Sequence, residues 1–126
     1  MPVTCEFDGR TVAVRLTGFY EPADVRAALV AVLDDPHFAR AAGLLFDVRA
    51  SRSIARRTAA EVRVMAQFLA GHADRFGRRL ALVADGDAAF GLMRLGAVVI
   101  EQQGVEASVF RNVADAEDWL GAEHSA

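Results

Sequence analysis

Residues 80–110 read LALVADGDAAFGLMRLGAVVIEQQGVEASVF, and this stretch decides the fold. Its first five residues are all apolar, which is typical of a strand in the interior of a sheet. Asp87 can cap a helix that runs to about Gln103, with Gly104 after its end. Another strand then follows, with apolar side chains at Ala107, Val109 and Phe110. A strand, a helix and a strand in succession predict two parallel strands joined by a crossover helix.

The same alternation continues toward the N-terminus. Residues 44–48 form a short apolar run, interrupted by Asp47, and predict another strand. Residues 49–57 predict a basic loop, after which Thr58 and Glu61 fit a capping box at a helix start. The helix that follows carries one apolar face, made of Val62, Met65, Phe68, Leu69, His72 and Phe76.

A hairpin and a helix come first in the chain. Apolar residues alternate with polar ones on either side of Asp8-Gly9, a dipeptide that favours a tight hairpin turn. Pro22 suits the first turn of the next helix, which Asp34-Asp35-Pro36 ends. At the other end of the chain, Asn112 can cap a final helix, and residues 121–126 are predicted to fray.

These elements predict an α/β fold in the order β-β-α-β-α-β-α-β-α, with one mainly parallel five-stranded sheet and an N-terminal antiparallel hairpin. The 126 residues form a single predicted domain, ordered from about 3 to 120. The formal net charge of −3 argues against nucleic-acid binding, and Cys5, the only cysteine, excludes an intrachain disulfide. The sequence has neither a signal peptide nor a membrane-spanning run, so we expect a cytoplasmic protein.

An ordered set of motifs resembles a known family. It comprises Gly18-Phe19-Tyr20, Asp35-Pro36-His37-Phe38, Leu45-Phe46-Asp47-Val48-Arg49, Phe90-Gly91-Leu92-Met93-Arg94 and Ala116-Glu117-Asp118-Trp119-Leu120. Together they are similar to the SpoIIAA-like family, which is related to STAS domains and to the CRAL-TRIO lipid carriers. The resemblance spans nearly the whole chain and implies strands side by side in chain order, with helices mainly on one face. Such a layout lacks the reversal of strand order at which open α/β sheets usually bind ligands.

The chain departs from the STAS pattern after the third strand. Where the anti-sigma-factor antagonists have Asp-Ser-Ser-Gly-Leu with a phosphorylated serine, this sequence has Asp47-Val48-Arg49-Ala50-Ser51. Ser51 and Ser53 lie nearby but outside the motif, so plain loop serines are the favoured interpretation. Asp47 itself is expected to bridge to Arg49 or to loop amides.

No residue pattern points to catalysis. The chain has no nucleophile elbow, phosphate loop or dinucleotide-binding motif, and its three histidines are scattered. We therefore expect no enzyme, no cofactor and no metal site. The basic loop offers one binding candidate, a site for an anion or lipid headgroup made of Arg49, Arg52, Arg56 and Arg57. The alternative is a solvated mobile loop.

The helix from Asp87 to about Gln103 is apolar on two sides. One face, made of Phe90, Met93, Ala97 and Ile100, should pack on the sheet. An outer stripe lies largely opposite and consists of Leu92, Leu95, Val98 and Val99. An exposed apolar stripe marks a partner or ligand surface, although neighbouring helices of the same domain can also cover it.

The favoured hypothesis is a non-catalytic cytoplasmic binding module. It forms a homodimer through the outer stripe and binds a small lipophilic ligand or associates peripherally with a membrane surface. The alternative is a protein-interaction module of STAS-type signalling without the phosphorylatable serine motif.

Overall fold

Two strands with alternating apolar residues and three strands that follow them in the chain build one five-stranded sheet. In the computed structural model, which describes residues 2–38 and 41–121, the strands lie in the order β1-β2-β3-β4-β5. Their bounds are β1 (Val3–Phe7), β2 (Thr11–Gly18), β3 (Gly43–Ser51), β4 (Arg79–Val83) and β5 (Glu106–Phe110). Only β1 and β2 pair antiparallel, and the other neighbours are parallel. The predicted fold class and the chain-order layout are confirmed.

The hairpin turn forms where Asp8-Gly9 predicts it. Gly9 has a φ of +93°, which glycine adopts without the steric penalty of a Cβ. The Asp8 carboxylate accepts hydrogen bonds from the N–H groups of Arg10 at 2.9 Å and Thr11 at 2.7 Å. The aspartate therefore fixes the turn that sets the register of β1 against β2.

Four helices connect or follow the strands. They are α1 (Pro22–Leu33), α2 (Ala59–Ala70), α3 (Asp87–Glu101) and α4 (Val113–Gly121). The capping box of α2 is confirmed. Thr58 Oγ1 accepts a hydrogen bond from the backbone N–H of Glu61 at 3.1 Å, and Glu61 Oε1 accepts one from the backbone N–H of Thr58 at 2.9 Å. Asn112 likewise accepts from the N–H of Asp115 at 2.9 Å.

The helices divide between the two faces of the sheet. Side chains of α1, α2 and α3 pack with Val12, Val14, Phe46 and Leu80 in the main core. On the other face, α4 covers Leu45, Ala81 and Val83 with Ala116 and Leu120. Gly43 permits this close approach, because a Cβ there would lie 2.8 Å from Leu120 Cδ2.

Several predicted boundaries are corrected. β3 continues past Val48 to Ser51, so Arg49 lies in a strand rather than in a loop. The strand accommodates Arg49 because its charge and that of Asp47 compensate each other. α2 ends at Ala70, and His72 and Phe76 lie beyond it, Phe76 at the end of a short 3-10 helix. α3 begins after Gly86, so Asp87 is its first residue rather than its cap, and it ends at Glu101.

The predicted fraying falls largely outside the described residues. Gly121 is the last residue of α4, and residues 122–126 lie beyond the part of the chain that the structure describes.

Candidate ligand-binding site

An apolar cavity of about 70 Å³ lies between the sheet and the layer formed by α1, α2 and α3. Side chains from β2, β3 and β4 line one side of it, and side chains from the three helices line the other. Its apolar lining includes Leu16, Phe46, Leu80, Met65, Met93 and Ile100. Protein interiors leave few voids of this size, so the cavity is the first candidate for a ligand site.

Small and flexible side chains shape this cavity. Gly96 lets α3 approach α2, because a Cβ at this position would lie 3.3 Å from Cγ1 of Val62. Ala66 contributes only a methyl group to the α2 wall. Met65 and Met93 are unbranched and adapt their shape to irregular spaces. The cavity can therefore change its shape without movement of the sheet.

The polar side chains Tyr20, Arg57 and Glu61 also line the cavity. Arg57 Nη1 donates to Glu61 Oε2 at 3.3 Å, and Nη2 donates to the backbone oxygen of Tyr20 at 3.0 Å. Its Nε is buried and has no hydrogen-bond partner among the described residues. The N–H of Thr58 and the charge of Arg57 hold the pKa of Glu61 below its ordinary value. The arginine thus keeps one buried donor available beside an apolar space.

A network of hydroxyl groups adjoins these residues. Ser51 Oγ donates to the Tyr20 hydroxyl at 2.7 Å, and Ser53 Oγ accepts from the backbone N–H of Tyr20 at 3.0 Å. Burial raises the pKa of Tyr20, so its hydroxyl stays neutral at physiological pH. Ser53 is only 2% exposed, and a kinase would have to open this region to reach it. The interpretation of Ser51 and Ser53 as structural rather than switching residues stays a prediction, and these contacts support it.

The structure separates the four arginines of the predicted anion site into two pairs. Arg49 binds Asp47, with Nη2 at 2.9 Å from Oδ2, and Arg57 binds Glu61. Arg52 and Arg56 are exposed on the connection between β3 and α2. Arg49 and Arg57 thus each have a carboxylate partner, and the anion site made of all four arginines stays a prediction.

The outer stripe of α3 is less exposed than its sequence indicates. Val98 is 55% exposed, but Leu92, Leu95 and Val99 are half-buried. Leu92 and Val99 pack against the edge of the main core. On the opposite face of α3, Met93, Ala97 and Ile100 are buried, as expected, whereas Phe90 is only half-buried. Homodimerisation through this stripe stays a prediction. The apolar area that a second copy would cover is smaller than the sequence indicates.

Residues that could carry chemistry stand apart from one another. Cys5 is half-buried in β1, and burial raises the pKa of its thiol. His72 Nδ1 lies 3.0 Å from the backbone oxygen of Phe68, as expected of a histidine at the core edge. Within residues 2–38 and 41–121, no group of three or more histidine, cysteine or acidic side chains could hold a metal ion.

A second concavity lies on the opposite face of the sheet, beside α4. This groove measures about 550 Å³ and is lined by both polar and apolar side chains, including Glu6, Arg15, Asp47 and Glu117. Its charges have both signs, so it favours no class of ligand. It exists because α4 covers the β3–β5 side of this face and leaves β1 and β2 open.

No known family model matches the chain, and no curated protein matches it with significant similarity. Among the described helices, none combines the length and the apolar character that a bilayer crossing requires.

Proposed function

We propose that this chain is a non-catalytic cytoplasmic binding domain that takes the apolar group of a small amphiphile into the cavity between the sheet and α1–α3. The observation that supports this most strongly is the apolar lining of the cavity together with the unpartnered Nε of Arg57. Apolar cavities of proteins stay dry and accept apolar ligands. A ligand that fills the cavity would gain dispersion contacts with its apolar lining.

The size of the cavity limits the ligand. Its volume of about 70 Å³ is roughly half that of an engineered cavity that binds benzene. The buried part of the ligand is therefore a short alkyl group, and longer chains require Met65 and Met93 to change rotamer.

The polar side chains of the lining determine which polar group the ligand carries at its other end. Arg57 already donates to Glu61 and to the backbone of Tyr20, which leaves its Nε for a further acceptor. A carboxylate is the acceptor that an arginine binds most strongly among small organic groups. We therefore expect a short-chain carboxylate to bind better than the alcohol of the same length.

Methyl NMR tests this proposal directly. The protein is labelled at its methionine methyl groups and titrated with butanoate, hexanoate and octanoate, and in parallel with the matched alcohols. We expect saturable shifts of the Met65 and Met93 signals, with carboxylates binding about tenfold more tightly. Arg57→Gln should remove this preference while the alcohols still bind.

A cavity-filling variant provides the control for location. Ala66→Val adds two methyl groups to the cavity wall and should abolish the shifts, whereas Ala27→Val, on the exposed face of α1, should not. The proposal fails if no probe moves the Met65 and Met93 signals, or if Ala66→Val binds as the unaltered chain does.

The alternative function, a protein-interaction module of STAS-type signalling, needs no ligand in the cavity. It predicts that none of the probes binds and that the chain retains a specific protein from its native lysate. The titration and the pull-down together separate the two functions.

A further inference from the structure

Phe19 is the most exposed large apolar side chain of the described residues, at 60%. The other exposed ones are valines on the outer faces of α1, α2 and α3, where single apolar residues are common. Phe19 instead lies in the loop between β2 and α1. The connection between β2 and α1 therefore presents a bulky aromatic ring to water.

One arginine side chain lies against this phenylalanine, and the backbone of a second arginine bonds to the residue before it. The guanidinium carbon of Arg56 is 5.3 Å from the centre of the Phe19 ring. The backbone N–H of Arg52 donates to the oxygen of Gly18 at 2.7 Å, which joins the two connections. Among residues 2–38 and 41–121, no carboxylate lies within ion-pair distance of either arginine. This surface therefore has one exposed aromatic ring and two uncompensated positive charges.

We propose that Phe19, Arg52 and Arg56 form a contact site for the surface of an anionic lipid bilayer. In this site the Phe19 ring enters the boundary between headgroups and acyl chains, where apolar side chains of peripheral proteins insert. Arg52 and Arg56 bind lipid phosphates, which match the planar guanidinium. The charge of the surface favours a bilayer over an apolar protein partner, because both arginines require anions around the ring.

Nearby acidic residues limit the strength of this contact. Glu21 and Asp24 lie in the first turn of α1 or next to it, and both are exposed. Asp24 Oδ2 accepts from the N–H of Glu21 at 3.1 Å, so the helix start partly compensates its charge. With one aromatic side chain and two arginines, the contact is weak and reversible.

The contact site adjoins the cavity. Phe19 and Arg56 directly precede Tyr20 and Arg57, two residues of the cavity lining. An amphiphile dissolved in the bilayer would therefore meet the protein at the site next to the cavity. The bilayer contact nevertheless stands on its own observations, and an empty cavity would leave it unchanged.

Vesicle co-sedimentation tests this proposal without any added ligand. The probes are vesicles of phosphatidylcholine alone and vesicles that also contain phosphatidylglycerol. We expect binding only to the anionic vesicles, weakened by salt because the charges are exposed. Arg52→Gln with Arg56→Gln should weaken binding about 30-fold, and Phe19→Ala about tenfold.

Matched variants elsewhere on the surface complete the test. Arg63→Gln and Arg94→Gln remove exposed arginines of α2 and α3, and Val64→Ala removes an exposed apolar side chain. These should bind vesicles as the unaltered chain does. Equal binding to both kinds of vesicle, or unchanged binding of the Arg52 and Arg56 variant, overturns the proposal. If the unaltered chain binds neither kind of vesicle but still shows the methyl shifts, the bilayer contact is overturned and the cavity proposal stands.

Discussion

The guanidinium of Arg49 donates two hydrogen bonds to the carboxylate of Asp47, from Nε to Oδ1 at 3.0 Å and from Nη2 to Oδ2 at 2.9 Å. Both residues lie on the same face of β3, two positions apart. The backbone N–H of Arg49 also donates to Oδ1, and Arg15 on β2 lies 3.5 Å from Oδ2. A side chain that is only 4% exposed therefore keeps its negative charge inside the sheet.

Removal of this charge should weaken the fold. Asp47→Asn leaves Arg49 and Arg15 without their carboxylate, and we expect a loss of about 2–4 kcal/mol in the free energy of unfolding at pH 7. Urea unfolding measures this loss. Asp118→Asn, on the exposed face of α4, is the control and should change the free energy of unfolding by less than about 0.5 kcal/mol. Equal stability of the two variants would contradict the role of Asp47.

The pH dependence of stability should reveal the same carboxylate. Burial pushes the pKa of Asp47 up, but the hydrogen bonds and charges of Arg49 and Arg15 outweigh it, so the pKa lies below its ordinary value. A lowered folded pKa contributes stability above the unfolded pKa of about 3.9, which is lost as pH falls through the folded value. The difference between the unaltered chain and Asp47→Asn should therefore be constant from pH 7 to about pH 5 and shrink below about pH 4. A difference that persists unchanged to pH 2.5 would contradict this cause.

Gly77 tolerates no side chain. Its φ of +65° is left-handed, and a Cβ there would lie 2.9 Å from the backbone oxygen of Ala42. Gly77→Ala should lower the free energy of unfolding by about 2–4 kcal/mol. Gly91→Ala is the matched control, since Gly91 lies in the exposed face of α3 with open space around its Cα. That change should stabilise the protein by about 0.5–1 kcal/mol, and thermal unfolding distinguishes the two signs.

Self-association through the outer stripe of α3 predicts a dimer in sedimentation at high protein concentration. Val98→Asp should convert it to a monomer, because the exposed centre of the stripe would then carry a charge that has to be desolvated. Val64→Asp, at an equally exposed position of α2, should leave the dimer intact. If the unaltered chain sediments as a monomer at every concentration, the prediction of a dimer is wrong.

Local signals predict most of the fold. Asp8-Gly9, Pro22 and the pair Thr58–Glu61 each fix a turn or a helix start through contacts within a few residues, so the sequence suffices there. The extent of β3 depends instead on Arg15 from another strand, which compensates Asp47. The arginine that follows Val48 therefore indicated a loop where the strand in fact continues.

The candidate site is harder to predict for the same physical reason. A cavity is a mismatch of volumes between helices and strands that are distant in sequence, and periodicity carries no information about it. The burial of Leu92 and Val99 also depends on how the helices pack. The sequence contains Phe19 and the two arginines but shows neither the exposure of the ring nor its distance from Arg56. Their proximity needs the pairing of Gly18 with Arg52.

The order of the strands has a consequence for how the protein acquires its structure. Every strand pairs with the one synthesised just before it, so the sheet can grow from one edge as the chain leaves the ribosome. Such sequential pairing keeps loop closures short, which favours rapid folding. Nascent chains that stop after α3 lack only the edge strand β5 and the helix α4, and they should already resist proteolysis before those two elements emerge.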